Sequence, residues 1–294
     1  MPRTVLILGA SGRFGRSMAV AFERNGWQLR RFDRTRDDLA QAADGVDVIV
    51  HGWNPPYQRW AKELPGLNRK VIAAARRSGA TVLLAGNNYV YGPNAPEVFS
   101  PDTPHRADNL MGRLRIDMEQ AFRNSGVQTI LLRAGDFLDT RASGNWFDMI
   151  ISKPVAKGRI DYPGPVDIPH TWAYLPDYCR AFVALAEQRD TLPRFTSVNF
   201  EGYTLSGREM ARSLGVRAER FNWLPLQLLS PVWPMARRLL EMRYLWHKPH
   251  RTDGRALREI LPDFVPTPAE EALRRAASVN IDPDKTVVGA DATV

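Results

Sequence analysis

Three glycines at three-residue intervals, Gly9, Gly12 and Gly15, follow a short aliphatic run at residues 5–8. That order predicts a buried strand, a tight turn and a helix whose N-terminus faces back over the turn. Free backbone N–H groups and the positive end of the helix dipole make such a place suited to a pyrophosphate. Gly9 would allow the turn, Gly12 would let the backbone approach phosphates, and Gly15 would let helix and strand pack closely. Ser11, Arg13 and Phe14 share the turn and are expected beside the same dinucleotide. A glycine-rich turn without a ligand is the alternative reading. Asp33 ends the next expected strand, about where a carboxylate meets the adenosine ribose of NAD, whereas Arg34 and Arg36 suit the extra phosphate of NADP. The carboxylate's place at the strand end tilts the expectation slightly to NAD. A surface charge cluster ahead of a short helix begun by Asp37 and Asp38 is the alternative.

A third expected strand, 46–51, runs into His51-Gly52-Trp53-Asn54-Pro55-Pro56-Tyr57. The two prolines force an extended loop at the strand's C-terminal end, the edge at which parallel α/β sheets bind ligands. His51, Gly52 and Trp53 are expected along the cofactor and Asn54 toward a substrate. A fourth strand, 81–85, leads to Tyr89 and Tyr91, which point to one side if the strand continues. Tyr89 suits either core packing or proton transfer. His105 and His170 are further candidates, because histidine as a residue type can exchange a proton near neutral pH. His105 reads as an exposed loop residue, and His170 as either a substrate neighbour or a hydrogen-bonded structural histidine. Asp136, just after a strand at 129–133, can orient a substrate hydroxyl or cap the following turn. No paired spacing among five histidines and one cysteine suggests a metal site, and no Gly-x-Ser-x-Gly elbow suggests a hydrolase of that type.

The elements that must position these residues alternate. A helix over 16–25, stopped by Asn25-Gly26, a strand over 27–32 and a helix over 64–78 separate the first four strands. This rhythm predicts an α/β fold with a doubly wound parallel sheet. Past Phe137 the pattern loosens. It predicts helix at 145–151, extended chain at 155–161, an amphipathic helix at 178–188, a strand at 196–200 and a serine-capped helix at 206–214. Trp223, Trp233 and Trp246 lie in a leucine-rich stretch broken by Pro225, Pro231 and Pro234. A helix over 234–245 packing on a smaller lobe is expected there, with a lid, an oligomer contact or a membrane-surface patch as alternatives. Thr267-Pro268-Ala269-Glu270-Glu271 opens a last helix, and 279–294 reads as a tail.

The chain of 294 residues is 44% hydrophobic and 24% charged, ordinary for a globular protein. Its single cysteine, Cys179, suits a reducing cytoplasm and excludes an intramolecular disulfide. The sequence shows no signal-peptide pattern and no apolar run of about 18 residues, so no membrane span is expected. The net charge of +8 is spread over many segments, so a solvated basic surface is expected and nucleic acid is not.

The combined order of motifs resembles the extended and atypical short-chain dehydrogenase/reductase superfamily, the NAD-dependent epimerase/dehydratase group. Besides the glycines and Asp33, the resemblance rests on Gly86-Asn87-Asn88-Tyr89-Val90-Tyr91-Gly92, against the family's Ser-Ser-x-x-Val-Tyr-Gly, and on Thr103-Pro104. It continues through Leu131-Leu132-Arg133, Gly135-Asp136-Phe137 and His170-Thr171-Trp172-Ala173-Tyr174-Leu175-Pro176-Asp177, covering about 4–185 well. It implies a Rossmann-type core at 1–137 with parts of 165–200. A smaller C-terminal substrate lobe at 138–164 and 201–278 and a substrate cleft between the lobes are implied too. Tyr91 becomes a packing residue. The family's Tyr acts as acid or base, its Lys lowers that pKa, and its Ser or Thr bonds the substrate oxygen. Here those positions hold Met111, Arg115 and Asn87. A Met cannot transfer a proton, and an arginine is not a tunable amine. Asn87 can still donate to a carbonyl oxygen, and Arg115 can bridge a ribose or phosphate. The expectation is an NAD(P)-binding oxidoreductase or epimerase that acts on a small carbonyl or sugar-like substrate and lacks the usual Tyr/Lys pair, with Tyr89 as the first substitute acid. A non-catalytic NAD(P)-binding sensor or partner protein is the alternative, and a homodimer is left open.

Overall fold

The aliphatic runs expected as strands lose all contact with solvent. In the computed structural model, which describes residues 3–281, Val5, Leu6, Ile7 and Leu8 are fully buried, as are Val48, Ile49 and Val50. In chain order the first elements are β1 (Thr4–Leu8), α1 (Arg13–Arg24), β2 (Gln28–Arg31), α2 (Leu39–Ala42), β3 (Val48–His51), α3 (Trp60–Ser78) and β4 (Thr81–Asn87). Then come β5 (Val98–Phe99), α4 (Leu110–Arg123), β6 (Thr129–Ala134), β7 (Asp136–Leu138), β8 (Arg159–Tyr162), β9 (His170–Tyr174) and α5 (Leu175–Glu187). The rest are β10 (Phe195–Asn199), β11 (Tyr203–Leu205), α6 (Gly207–Leu214), β12 (Arg217–Arg220), α7 (Leu224–Leu229), α8 (Pro234–Glu241), β13 (Arg251–Thr252), α9 (Arg255–Ile260) and α10 (Ala269–Ile281). Two compact units result, one built from 3–134, 178–200 and 253–264, the other from 135–177, 201–252 and 265–281.

The first unit carries a six-stranded, wholly parallel sheet in the order β10-β6-β4-β3-β1-β2. Leu6, Leu8, Ile49, Val82, Leu84 and Leu131 alternate onto one face, where Val71, Ile72 and Ala75 of α3 and Met118 and Phe122 of α4 cover them. The intervening residues are buried as well, with α1 packed against β1 and β2 through Met18, Ala19 and Phe22. A parallel sheet needs both faces covered, and the near-continuous hydrophobic runs reflect that. The chain reverses its direction of travel across the sheet between β1 and β3, the switch point at which open α/β sheets bind ligands. The register sets Leu8 beside His51, so Gly9 and Gly52 leave the sheet as neighbours. The α/β class and the Rossmann-type doubly wound sheet are therefore observed.

In the second unit β9 is buried throughout, paired in parallel with β7 and antiparallel with β11, while β8 and β12 form a separate parallel pair. Its core is aromatic: Phe147, Tyr162, Trp172, Trp223 and Trp246 meet Ala272, Leu273 and Ala276 of α10. Ser206 and Glu209 cap α6 reciprocally.

Several local expectations shift. The third helix starts at Trp60 rather than 64, because Trp60 Nε1 donates to Pro55 O (2.8 Å) and secures the entry ahead of Pro65. The stretch expected to be extended at 155–161 begins with a 3₁₀ turn, Val155–Lys157, closed by left-handed Gly158, and is a strand only from Arg159. The helix expected at 234–245 stops at Glu241 and gives way to a 3₁₀ turn, Arg243–His247, that delivers Trp246 into the core. The fourth strand ends at Asn87, whose side-chain oxygen accepts from Tyr89 N–H (3.1 Å) and turns the chain into a 3₁₀ helix, Asn88–Tyr91. Tyr89 and Tyr91 consequently part: Tyr91 is buried, stacked on Phe99, while Tyr89 stays half-buried. The last helix reaches Ile281, and the remainder of the expected tail lies outside the described residues.

A Cβ at Gly15 would stand 2.2 Å from the Gly9 carbonyl oxygen, whereas one at Gly66, in α3, would meet only the tip of Arg69 at 4.0 Å. Gly15→Ala should therefore destabilise by about 1–3 kcal/mol, and Gly66→Ala should stabilise by about 0.5–1 kcal/mol. Thermal unfolding of the two variants against wild type checks the opposite signs.

Candidate functional site

The turn between β1 and α1 is held by backbone contacts that admit no side chains. Gly9 has φ +74°, and a Cβ there would lie 2.6 Å from Gly52 O. A Cβ at Gly52 would lie 2.3 Å from Leu8 O. Gly12 N–H donates to Gly9 O (2.9 Å), and Gly12 is the N-cap of α1 without any side-chain cap. The N–H groups of the first helical turn are thus left to face whatever occupies the space beyond, as an anion site requires.

That space is a cavity of about 250 Å³ at the β1/β3 switch point. Gly9, Ser11, Gly12, Arg34, Gly52, Trp53 and Asn54 line it, joined by Pro55, Pro56, Arg59, Glu63 and Leu67. Seven expected site residues are thereby brought together. Arg59 and Glu63, which the sequence did not single out, form an ion pair on its wall. Gly15 packs behind the turn, Arg13 opens α1, and the Phe14 ring lies against Tyr178 and Phe182 at 6.0 and 5.8 Å. Asp33 is half exposed at the end of β2 and outside the lining. Its Oδ1 accepts from Thr35 N–H (2.9 Å) and Oγ1 (2.7 Å), and these bonds hold its carboxyl below the usual range.

His51 turns its imidazole into the core instead of the cavity. The ring sits 5.7 Å from Phe122, and Nε2 pairs with Asn68 Oδ1 at 3.0 Å. Burial pushes its pKa down to about 4, so the ring is neutral. Its backbone, the last rung of β3, is what adjoins Gly52.

Beyond Asn54 lies a second cluster. Tyr89 Oη and Tyr57 Oη are hydrogen-bonded at 3.0 Å. Tyr57 packs edge-on to Trp60, and the Arg115 guanidinium lies 4.3 Å over the Trp60 ring. Arg115 Nη2 donates to Asn54 Oδ1 (3.2 Å), linking this cluster to the cavity lining. Met111 is fully buried one helical turn before Arg115. A Cβ at Gly112 would stand 2.6 Å from Tyr89 O, so this glycine lets α4 close on the Tyr89 turn. Tyr57, Trp60 and Gly112 were missed by sequence reasoning. The only signal for the first two was their position just after Pro55-Pro56.

Asn87 is fixed from below. Its carbonyl accepts from Arg133 Nη1 (2.6 Å), and Arg133 makes a two-pronged bond to Glu119, Nη1–Oε1 2.8 Å and Nη2–Oε2 2.7 Å. Both charges are buried. Arg133 Nη2 also approaches His105 Nε2 at 3.4 Å, and burial with this neighbouring cation lowers the His105 pKa.

In the second unit, His170 Nε2 meets Asp136 Oδ2 at 2.7 Å. His170 is buried, stacked on Trp246 at 4.1 Å, and its Nδ1 has no hydrogen-bond partner among the described residues. Asp136 remains a quarter exposed. Among the described residues no cluster could hold a metal ion, and no helix is long and apolar enough to cross a membrane.

No protein-family model matches the sequence, and no curated protein matches it. Solved structures do match in fold. A GalE-like L-threonine dehydrogenase from Cupriavidus necator superposes with TM-score 0.73 at 18% identity, over 95% of this chain and 99% of that one. A UDP-glucuronic acid 4-epimerase from Bacillus cereus, solved with UDP-glucuronic acid and NAD, gives 0.70 at 14% identity over 95% and 99%. MoeE5, solved with UDP-glucose and NAD, gives 0.70 at 16% over 95% and 98%. The chain therefore has the fold of the NAD-dependent epimerases and dehydratases across nearly its whole length.

The buried neutral His51 makes stability depend on pH. Its pKa is about 4 when folded against 6.5 when exposed, so the unfolded chain takes up the proton first. The stability this contributes is complete above pH 6.5 and is lost as pH falls toward 4, to an extent of about 3 kcal/mol. His51→Gln should flatten the wild-type decline over that window, measured as urea midpoints; parallel curves for the two proteins would contradict it.

Proposed function

We propose that the chain is an NAD-binding oxidoreductase or epimerase of the short-chain dehydrogenase type, acting on a small carbonyl or sugar-like substrate. The observation that carries this reading is the uncapped N-terminus of α1 above Gly9 and Gly12, opening on a cavity whose wall leads through Asn54 to Arg115 and Tyr89. The two NAD-bound structures of similar fold support it. Gly12 and the first N–H groups of α1 would hold the pyrophosphate. Asp33 would take the adenosine ribose, with Arg34 beside it on the cavity wall. Gly52, Trp53 and Asn54 would flank the remainder. Bound there, NAD supplies hydride chemistry.

The protein's share is proton handling and charge. Asn87 and Arg115 polarise a substrate oxygen, and the Tyr89 hydroxyl exchanges the proton, replenished through its bond to Tyr57. The Arg115 charge is coupled electrostatically to both tyrosines. In the second unit Asp136, held by His170, is proposed as a substrate contact. A reducing cytoplasm fits the single, buried Cys179.

Titration with NADH and NADPH tests the site. Wild type should bind NADH the more tightly, and Gly12→Trp, whose ring would fill the cradle, should lose it. Binding of neither dinucleotide by wild type overturns the proposal, and tighter NADPH binding transfers the ribose end to Arg34.

For the chemistry, Tyr89→Phe should lower kcat on a turned-over carbonyl or nucleotide-sugar substrate by about 10²–10⁴-fold with NADH affinity unchanged. An unchanged rate removes Tyr89 from the mechanism. A second reading, a non-catalytic NAD-binding sensor, is favoured by Met111 and Arg115 standing where the resemblance puts the Tyr and Lys. Tight NADH binding with no turnover across the panel would select it.

A further inference from the structure

We propose that the α7–α8 hairpin of the second unit docks on a membrane surface rich in anionic lipid. Residues 221–236 include no charged side chain. Within them Leu224, Leu228, Leu229, Val232 and Trp233 are exposed, Leu228 to 71% and Val232 to 79%. Folded chains do not usually hold so many large apolar groups together in water without a partner for them.

The hairpin is not a frayed end. α7 and α8 pack on each other, and Leu226 and Leu240 reach the aromatic core of the unit. Trp223, just ahead of α7, is buried and donates from Nε1 to Pro163 O at 2.7 Å. Pro225, Pro231 and Pro234 stiffen the tip, so the apolar side chains are presented on an ordered support.

Charge identifies the occupant. Between residues 217 and 251 stand seven Lys or Arg against two Glu, a large share of the chain's net +8. Arg237 is exposed one turn beyond Trp233, Arg238 pairs with Glu241, and Arg243 lies 5.2 Å over Trp223. An uncharged tip carrying Trp and Leu, followed by arginines, fits insertion between headgroups with the cations meeting lipid phosphates. A second copy of the chain fits less well, since a two-fold pairing would bring two basic faces together.

Sedimentation with vesicles tests this. Wild type should bind vesicles of phosphatidylglycerol mixed with phosphatidylcholine at least about tenfold more tightly than phosphatidylcholine alone, and less tightly as salt rises. Doxyl-labelled lipid should quench fluorescence from Trp233, read as the difference between wild type and Trp233→Phe. The double variant Leu228→Asp, Val232→Asp should lose vesicle binding while keeping the wild-type melting temperature and NADH affinity. Absence of wild-type binding overturns the proposal, as does equal binding by the double variant. Light scattering that shows a wild-type dimer dissolved by the double substitution, with no vesicle binding, assigns the face to self-association instead.

Discussion

The buried pair of Arg133 and Glu119 is the contact on which the arrangement of the first unit's polar residues depends. Arg133 is on β6 and Glu119 on α4, and the guanidinium also holds the Asn87 carbonyl at the end of β4. It lies 5.2 Å from the Tyr91 ring as well. One side chain thus joins the strand that ends in Asn87, the turn that carries Tyr89 and the helix that carries Arg115. Two charges removed from water are expensive to bury, and only good geometry offsets the loss. Here the bidentate bond and the carbonyl supply it, and removing one partner of such a pair typically costs about 3–5 kcal/mol. The same packing accounts for Gly86 inside β4, where a Cβ would press on Leu131 at 2.9 Å and on Arg133 at 3.2 Å.

A second constraint is purely steric. Gly9, Gly15 and Gly52 bring three stretches of backbone within distances that no Cβ could share. With that approach made, the N-terminus of α1 stands at the switch point of the sheet and the cavity takes its floor from peptide groups rather than side chains. Peptide N–H groups held this way cannot relax away from a bound anion. Their fixed orientation is what an anion site gains from glycine.

These two constraints also explain what could be read from the sequence. The glycine turn is a local backbone device, so its spacing was legible, as were the caps at Asp38 and Ser206, whose side chains bond within their own turn. Buried parallel strands were legible as runs of Val, Ile and Leu. The inward turn of His51 was not, because it follows from Asn68 and Phe122, 17 and 71 positions away in the chain, rather than from the neighbours of His51. The Tyr57–Tyr89 bond spans 32 residues and depends on where β4 stops, which in turn depends on a single Asn87 side-chain bond. Local pattern specifies elements well; it specifies poorly the point at which a strand yields to a side chain competing for its backbone.

An arginine at position 115, where the family resemblance would place a lysine, has a physical consequence within the proposed chemistry. A lysine ammonium is a compact charge whose pKa moves with its surroundings, so it can tune a neighbouring acid and pass a proton along. A guanidinium keeps its charge and offers planar donors that stack on aromatic faces. Arg115 uses both properties, lying over Trp60 and donating to Asn54. It therefore serves as a fixed positive charge that positions the cavity wall. Under that proposal a proton would travel through groups that can gain and lose one, and the paired hydroxyls of Tyr57 and Tyr89 are such groups in this cluster. In the proposed chemistry an arginine here would forgo a lysine's proton path yet keep a positive charge, with the tyrosine pair one aromatic ring away.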